Sequence, residues 1–242
     1  MKSSMDEVKC YAPGGTLEVV LDILKALPPG RVLDAPCGQG AAVIEDGGRN
    51  EFLCIDIDKE NFKLEDVPFL KVDMNAPLPL GNHEFDYVLC LEGIEHLENP
   101  FLCLREFGRV LKPGGSLIIS TPNIMTIKSR FRFFFYSYHD SFRYIKTDDT
   151  FRHGSLEYEH EHINPMTFME LRYGLAKAGL EVTAVRTNRY VRAKKLGIFY
   201  PFFKRLIISR TRSKTPRDPL LVSRELLEGE ILIIHARKSI AP

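Results

Sequence analysis

The sequence predicts an α/β fold: a mostly parallel, seven-stranded sheet with helices on both faces. Three observations carry this. Short apolar segments bounded by turn residues alternate with segments of helical periodicity, as βαβ units require. The apolar segments run almost unbroken, as strands covered on both faces do; Phe85 to Leu91 (FDYVLCL) is the cleanest. The chain has 242 residues, 44% hydrophobic and 27% charged, which suits one α/β domain, 1–242, with elaborations.

The elements follow in order. Leu17, Val20, Leu21 and Leu24 stand at i, i+3, i+4 and i+7, which predicts a helix over Thr16 to Leu27, ended by Pro28-Pro29-Gly30. Strands are expected at Val32-Leu33, Glu51–Asp56, Pro68–Asp73 and Phe85–Leu91. Asn99-Pro100 reads as a cap and first-turn pair opening a helix to Leu111. Lys112-Pro-Gly-Gly115 reads as a turn and Ser116–Ser120 as the fifth strand. Asn164-Pro165 is expected to open a further helix, closed by Gly179. Leu180–Val185 and Glu230–Ala236 supply the last two strands. Two stretches break the alternation and read as insertions: a lid at 124–161, after strand five, and a basic, apolar segment at 186–227, before the last strand.

Composition excludes several classes. Met1 to Cys10 is polar, without an apolar signal core, and no apolar run approaches about 18 residues. The cysteines at 10, 37, 54, 90 and 103 include no CxxC pair, against a disulfide framework or cysteine zinc site. A cytoplasmic protein is expected.

The chemistry starts at the end of strand one. VLDAPCGQG, Val32 to Gly40, ends in glycines that let a ligand approach backbone N–H groups. A dinucleotide fingerprint needs a third glycine where Val43 stands, and the Gly-Lys-Ser/Thr of a P-loop is absent. A plain βα turn is the competing reading. Asp56 ends strand two, where a carboxylate can accept hydrogen bonds from both ribose hydroxyls of an adenosine. Asp73-Met74 follows strand three and can take an adenine amino group and pack the ring. Three such strand ends in order outweigh the bland reading of each.

These stretches resemble the motifs of class I S-adenosylmethionine-dependent methyltransferases. VLDAPCGQG resembles the first, CIDID the second, VDMNAPLPLGNHEFDYVLCLEGIEHL the third and fourth, and LREFGRVLKPGGSLIISTPN the fifth. The resemblance covers residues 16–123 well, and 164–185 and 230–238 loosely. Within the family (its type 11/23-like members) it is nearest to ubiquinone-biosynthesis-type O-methyltransferases. It departs at Pro36, where glycine is commoner, and in the short segments between strands one and three. It implies a Rossmann-like sheet with the last strand antiparallel. It also implies that Asp34, Ala35 and the Gly38–Gly40 backbone hold the methionine part of the cofactor. Asp56 would hold the ribose with Ile57 against the adenine, Asp73 and Met74 would contact the adenine, and Cys90 and Leu91 would line the methyl end.

A sulfonium is already a strong electrophile, so the protein mainly aligns the nucleophile. A hydroxyl acceptor also needs a base or a metal. In LEGIEHL, Glu92, Glu95 and His96 fall at i, i+3 and i+4, one face of a helical turn; EYEHEHINP adds His160 and His162. Glu92, His96 and His162 are the catalytic candidates. Glu92, Glu95, His96 and His162 are candidate ligands for Mg²⁺, Mn²⁺ or Zn²⁺. ExxEH with a later histidine also resembles the metal site of small-RNA 3′-end 2′-O-methyltransferases, and ubiquinone-type enzymes share ExxEH. A metal-free histidine base, or carboxylates that merely orient neighbours, stay open.

The insertions carry the remaining signal. KSRFRFFFYSYHDSFRYIK, Lys128 to Lys146, mixes aromatics with cations. Val182 to Arg217 holds eleven basic residues and no acidic one, so with a net charge of +1 the rest of the chain sums to 1 − 11 = −10. RAKKLGIFYPFFKRLIISRTRSK, 192–214, is basic and apolar at once, which suits peripheral contact with an anionic membrane. It also suits a phosphate-rich partner such as RNA or a lipid pyrophosphate, or an ordinary lid with a solvated basic face. The expected activity is methyl transfer from S-adenosylmethionine to an oxygen of a small-molecule or lipid-linked acceptor. One alternative is a metal-dependent RNA 2′-O-methyltransferase, disfavoured because no compact RNA-binding module is visible. The other is a non-catalytic S-adenosylmethionine-binding protein, disfavoured by the joint presence of Asp34, Gly38, Gly40, Asp56 and Asp73. Nothing in the sequence fixes the oligomeric state.

Overall fold

The computed structural model describes residues 8–142 and 162–240. Its elements are α1 (Thr16–Lys25), β1 (Arg31–Asp34), α2 (Ala41–Asp46), β2 (Glu51–Asp56), β3 (Phe69–Lys71), β4 (Phe85–Leu91), α3 (Pro100–Val110), β5 (Leu111–Pro122), α4 (Ile127–Tyr136), α5 (Phe168–Lys177), β6 (Leu180–Arg186), α6 (Tyr200–Lys214), α7 (Arg224–Glu228) and β7 (Ile231–Lys238). The strands form one sheet in the order β3-β2-β1-β4-β5-β7-β6. β1 to β5 are mutually parallel. β7 runs antiparallel to both of its neighbours, as expected for the last strand.

Alternation through the sheet explains the unbroken apolar runs. In β4, Val88 and Cys90 join a core on one face, while Tyr87 and Leu89 join a second core on the other. β7 divides likewise: Leu232 and Ile234 one way, Ile231 and Ile233 the other. Residues of α3 and α5 cover the first face, those of α1 and α2 the second. A two-sided strand has no polar face to show, so its sequence reads as continuous hydrophobe.

Two boundaries differ from expectation. Lys112–Gly115 lies inside β5 as an irregularity: Phe85 pairs with Leu111 and Tyr87 with Ser116, with Gly114 at φ 78°. Helix α5 starts at Phe168, because Thr167 and Glu170 form a reciprocal capping box. Asn164 does other work. The backbone N–H groups of Ile163 and Asn164 donate to the Glu95 carbonyl at 3.0 and 2.9 Å, and the Asn164 amide donates to the Leu97 carbonyl. This segment is therefore strapped across residues 95–97.

The described parts of the two insertions meet. Ile127, Ala193, Tyr200 and Leu227 form a small core of their own, with Phe131, Leu196, Ile207 and Ile208 packed on it. Beside it the Glu228 carboxylate is 3% exposed and accepts from Tyr200 (2.6 Å), Lys204 (2.8 Å) and Arg224 (3.1 Å). Burial pushes its pKa up, but these partners, Lys204 first, outweigh it and hold it low. One carboxylate thus pins α6 to α7. Among the described residues, no helix is long and apolar enough to cross a membrane.

Candidate functional site

The sheet order places the topological switch between β1 and β4. From there the chain builds outward to β2 and β3 on one side and to β5 on the other. In such sheets the crevice beyond the carboxyl ends of the two central strands is the natural ligand site. Asp34 ends β1 and Leu91 ends β4, so the candidate residues gather at that edge.

The β1–α2 loop is built from the backbone. The Ala35 N–H donates to the Leu89 carbonyl (2.9 Å) and the Cys37 N–H to the Ile55 carbonyl (3.0 Å), tying the loop to both neighbouring strands. The Ala35–Pro36 peptide is cis, and Gly38 has φ 52°. At Gly40, φ is 92° and an added Cβ would stand 2.6 Å from the Leu64 side chain, so both conformation and space demand glycine. Asp56 braces this loop: one carboxylate oxygen accepts from the Gly38 N–H (2.9 Å), the other from the Asp58 N–H (3.1 Å). Burial raises the Asp56 pKa, against the lowering by these backbone donors.

Asp34 is 2% exposed, and among the described residues its Oδ2 has no hydrogen-bond partner. Burial, and then the Asp56 charge, push its pKa from the ordinary 3.8 to about 8. The sign follows from linkage. A raised folded-state pKa means that the neutral form is favoured, so this contribution to stability is complete below the ordinary value and disappears as pH climbs through about 8. Asp34→Asn, neutral throughout, is expected to flatten the fall in melting temperature over that window. Parallel melting curves for the two proteins across it would contradict the assignment.

The other cofactor candidates divide by exposure. Met74 is buried and Ile57 half-buried, while Asp73 is exposed and its carboxylate caps the Asn75 N–H at 2.8 Å. Cys90 is fully buried, within electrostatic reach of Glu95, Asp34 and Glu92, and Leu91 is half-buried.

Beyond β4 the chain turns sharply. Glu92 has φ 48°, a strained value for a side chain of its size. It is held by Ser120 at the facing position of β5: the Glu92 N–H donates to Oγ (3.1 Å), and the Ser120 hydroxyl donates to Glu92 Oε1 (2.7 Å). Burial raises the Glu92 pKa from 4.5 to about 7, despite Ser120 and with help from Glu230. Gly93 sits against the cofactor loop, because a Cβ there would lie 2.2 Å from Pro36 Cδ.

Residues Ile94–His96 form a single 3-10 turn, and Glu92 stands outside it. The expected shared helical face of Glu92, Glu95 and His96 is therefore corrected: the positive φ takes Glu92 out of the helix. Among the described residues the convergent group consists of Glu95, His96 and His162, whose ligating atoms lie within 4.8 Å of one another. The rings of His96 and His162 meet edge to face at 4.8 Å, and His162 Nδ1 contacts the Ser141 carbonyl at 2.9 Å. Glu95 is fully buried, with neither carboxyl oxygen hydrogen-bonded among the described residues, and burial followed by the nearby Glu92 drives its pKa well above normal. Three of the four candidate metal ligands come together; Glu92 is engaged by Ser120 instead. His160 lies outside the described residues.

A segment near the start of the described chain covers the loop. The Lys9 N–H donates to the Gln39 side chain (2.7 Å), the Gln39 amide to the Tyr11 hydroxyl (2.8 Å), and that hydroxyl to Asn61 (2.9 Å). The Tyr11 ring lies over Gly38. The Tyr11 contact is signalled by no motif; Ser120 lies within the fifth stretch, LREFGRVLKPGGSLIISTPN, where no local pattern pairs it with Glu92.

Comparisons with known proteins agree with this geometry. A family model described as "Methyltransferase domain" matches residues 11–185. Over 116 residues the chain is 36% identical to a Mycolicibacterium smegmatis protein named "Probable S-adenosylmethionine-dependent methyltransferase", covering 45% of each. Over 110 residues it is 33% identical to the ubiquinone biosynthesis O-methyltransferase of Xanthomonas campestris pv. campestris, covering 40% of this chain and 45% of that one. The chain thus spans less than half the length of these curated relatives. Among solved structures, a SAM-dependent methyltransferase from Archaeoglobus fulgidus shares the fold with a TM-score of 0.55 at 20% identity, covering 93% of this chain and 95% of that one. With its sheet order, its glycine loop and this match, the chain belongs to the class I S-adenosylmethionine-dependent methyltransferase family.

Proposed function

We propose that the protein moves the methyl group of S-adenosylmethionine to an oxygen of a small-molecule or lipid-linked acceptor, with the Glu95–His96–His162 cluster handling the hydroxyl proton. The observation that carries this is the convergence of a buried carboxyl and two imidazoles beyond the end of β4, beside Cys90. An amine acceptor has a lone pair ready at the right protonation state. A hydroxyl must lose a proton as it attacks, and that is work for an imidazole. The name of the Xanthomonas relative points the same way.

The residues fit the cofactor. Asp34 Oδ2 is a buried acceptor without a donor among the described residues, matched to an ammonium group, and Gly40 keeps side-chain bulk out of the cradle. Asp56 would take the ribose, Ile57 and Met74 the adenine, and Leu91 the methyl end. Bound there, S-adenosylmethionine supplies an electrophilic methyl group on sulfur. The protein's own work is to hold donor and acceptor in line, exclude water at Cys90 and Leu91, and accept the proton at His96 or His162. Glu95, kept neutral by burial, stands with its carboxyl within 4.8 Å of both imidazoles.

A second reading rests on the same cluster. One carboxylate and two imidazoles fit a divalent ion, Zn²⁺ or Mn²⁺ better than Mg²⁺. An ion held by Glu95, His96 and His162 would lower the pKa of a hydroxyl beside it. Calorimetric titration with ZnCl₂, comparing the protein with Glu95→Gln, reads that site without activity.

The test of the main reading is product identity. Hydroxylated and amine acceptors, soluble and lipid-linked, are offered with S-adenosylmethionine, and the methylated atom is located by mass spectrometry and NMR. Methyl on oxygen is the expected result. Methyl on nitrogen or carbon, with hydroxyls untouched, would overturn it.

A further inference from the structure

We propose that α4, α6 and the turn preceding α6 form one surface that docks on an anionic lipid bilayer. This goes beyond methyl transfer and stands whatever the acceptor is. The two stretches that break the α/β alternation are separate in sequence, yet the structure joins them. Phe131 of α4 packs on Phe203 of α6 at 5.0 Å, and Phe203 on Phe202 at 5.5 Å. Phe135 stands one turn beyond Phe131 on the same side of α4 and meets Phe134 at 5.1 Å. The inner rings hold the two helices together and the outer ones face solvent.

What faces solvent is large and apolar. Phe134 is 79% exposed and Ile198 87%, with Phe135, Phe199 and Phe202 also exposed. On α6 the exposed positions Phe202, Arg205, Leu206, Ser209 and Arg210 fall at i, i+3, i+4, i+7 and i+8, a single outward face that mixes apolar and cationic side chains. Among the described residues Lys194, Lys195, Arg205 and Arg210 make no ion pair. Their stretch, 182–217, has eleven basic residues and no acidic one.

Charge complementarity selects the occupant. A bilayer interface takes apolar side chains into its acyl boundary while its headgroups take the cations, and it needs both on one face. A single-stranded nucleic acid would use aromatics as stacking platforms, but Ile198 and Leu206 cannot stack. A second copy would set cation against cation across a two-fold axis. Helix α4 also leaves the carboxyl end of β5, the edge of the sheet that carries the site, so the docking face borders the site mouth.

The test is co-sedimentation of the full chain with vesicles of phosphatidylcholine alone, and of equal parts phosphatidylcholine and phosphatidylglycerol. Two double variants are compared: Lys194→Ala with Lys195→Ala, and Ile198→Ser with Phe202→Ser. All four side chains are exposed, and circular dichroism melting checks that the fold is intact. The expected result is binding to the mixed vesicles and little to phosphatidylcholine. Each double variant should bind weaker by on the order of tenfold, and added salt should weaken the parent. The proposal is overturned if the parent ignores mixed vesicles, or if both variants bind like the parent. Binding of an RNA oligonucleotide without vesicle binding would also overturn it. So would a dimer by light scattering that Ile198→Ser with Phe202→Ser converts to monomer.

Discussion

Asp56→Ala is expected to weaken S-adenosylmethionine binding by at least about 100-fold in calorimetric titration. A carboxylate offers about four acceptor positions, and two are taken by the Gly38 and Asp58 N–H groups. The others are left for two ribose hydroxyls. Hydrogen bonds to a charged group contribute about 1.5–3 kcal/mol each, so losing two accounts for the stated factor. Alanine also releases the Gly38 N–H and with it the shape of the glycine loop. Asp56→Asn separates the two effects: it keeps an acceptor for Gly38 but loses the charge, and should fall between parent and alanine. Equal affinity in all three proteins would refute the ribose assignment.

His96→Ala is expected to lower kcat by about 10²–10⁴-fold with cofactor affinity unchanged, the range for loss of a positioned acid–base group. The ring lies in the convergent cluster, in edge-to-face contact with His162. Residues that act as a unit are not additive when removed, so the His96→Ala, His162→Ala double variant should be little worse than the poorer single. A product of two independent losses, or an unaltered kcat, would remove the pair from proton handling.

Much of this architecture is legible in the residues, for identifiable reasons. Glu51–Asp56 and Phe85–Leu91 are readable to the residue, because strands buried on both faces are continuous hydrophobe between turn signals. Lys112–Gly115 misleads because Pro-Gly-Gly is turn chemistry locally, whereas the sheet ladder carries on through it. Asn164-Pro165 looks like a helix start, but the reciprocal Thr167–Glu170 pair is the true one, and Asn164 is taken up by Leu97. In the site, Asp34, Asp56, Met74 and Leu91 stand out because strand ends converge in this topology. The Glu92–Ser120 pair, Gly93 against Pro36, and Tyr11 over Gly38 join segments at least 27 residues apart (38 − 11 for the last). No local pattern encodes such contacts. Helical spacing likewise could not foresee that Glu92 adopts φ 48° and leaves its neighbours to converge without it.

The segment carrying Lys9 and Tyr11 bears on time rather than on place. It is fastened to Gln39 and Asn61 by three exposed hydrogen bonds. At about 1 kcal/mol apiece, they hold the closed form over the open one by no more than on the order of a hundredfold, before the entropy of ordering the chain is counted. Surface segments tied this lightly move in nanoseconds to microseconds. Release of a molecule seated beneath Tyr11 is therefore expected to be limited by what grips it inside the crevice and not by this cover.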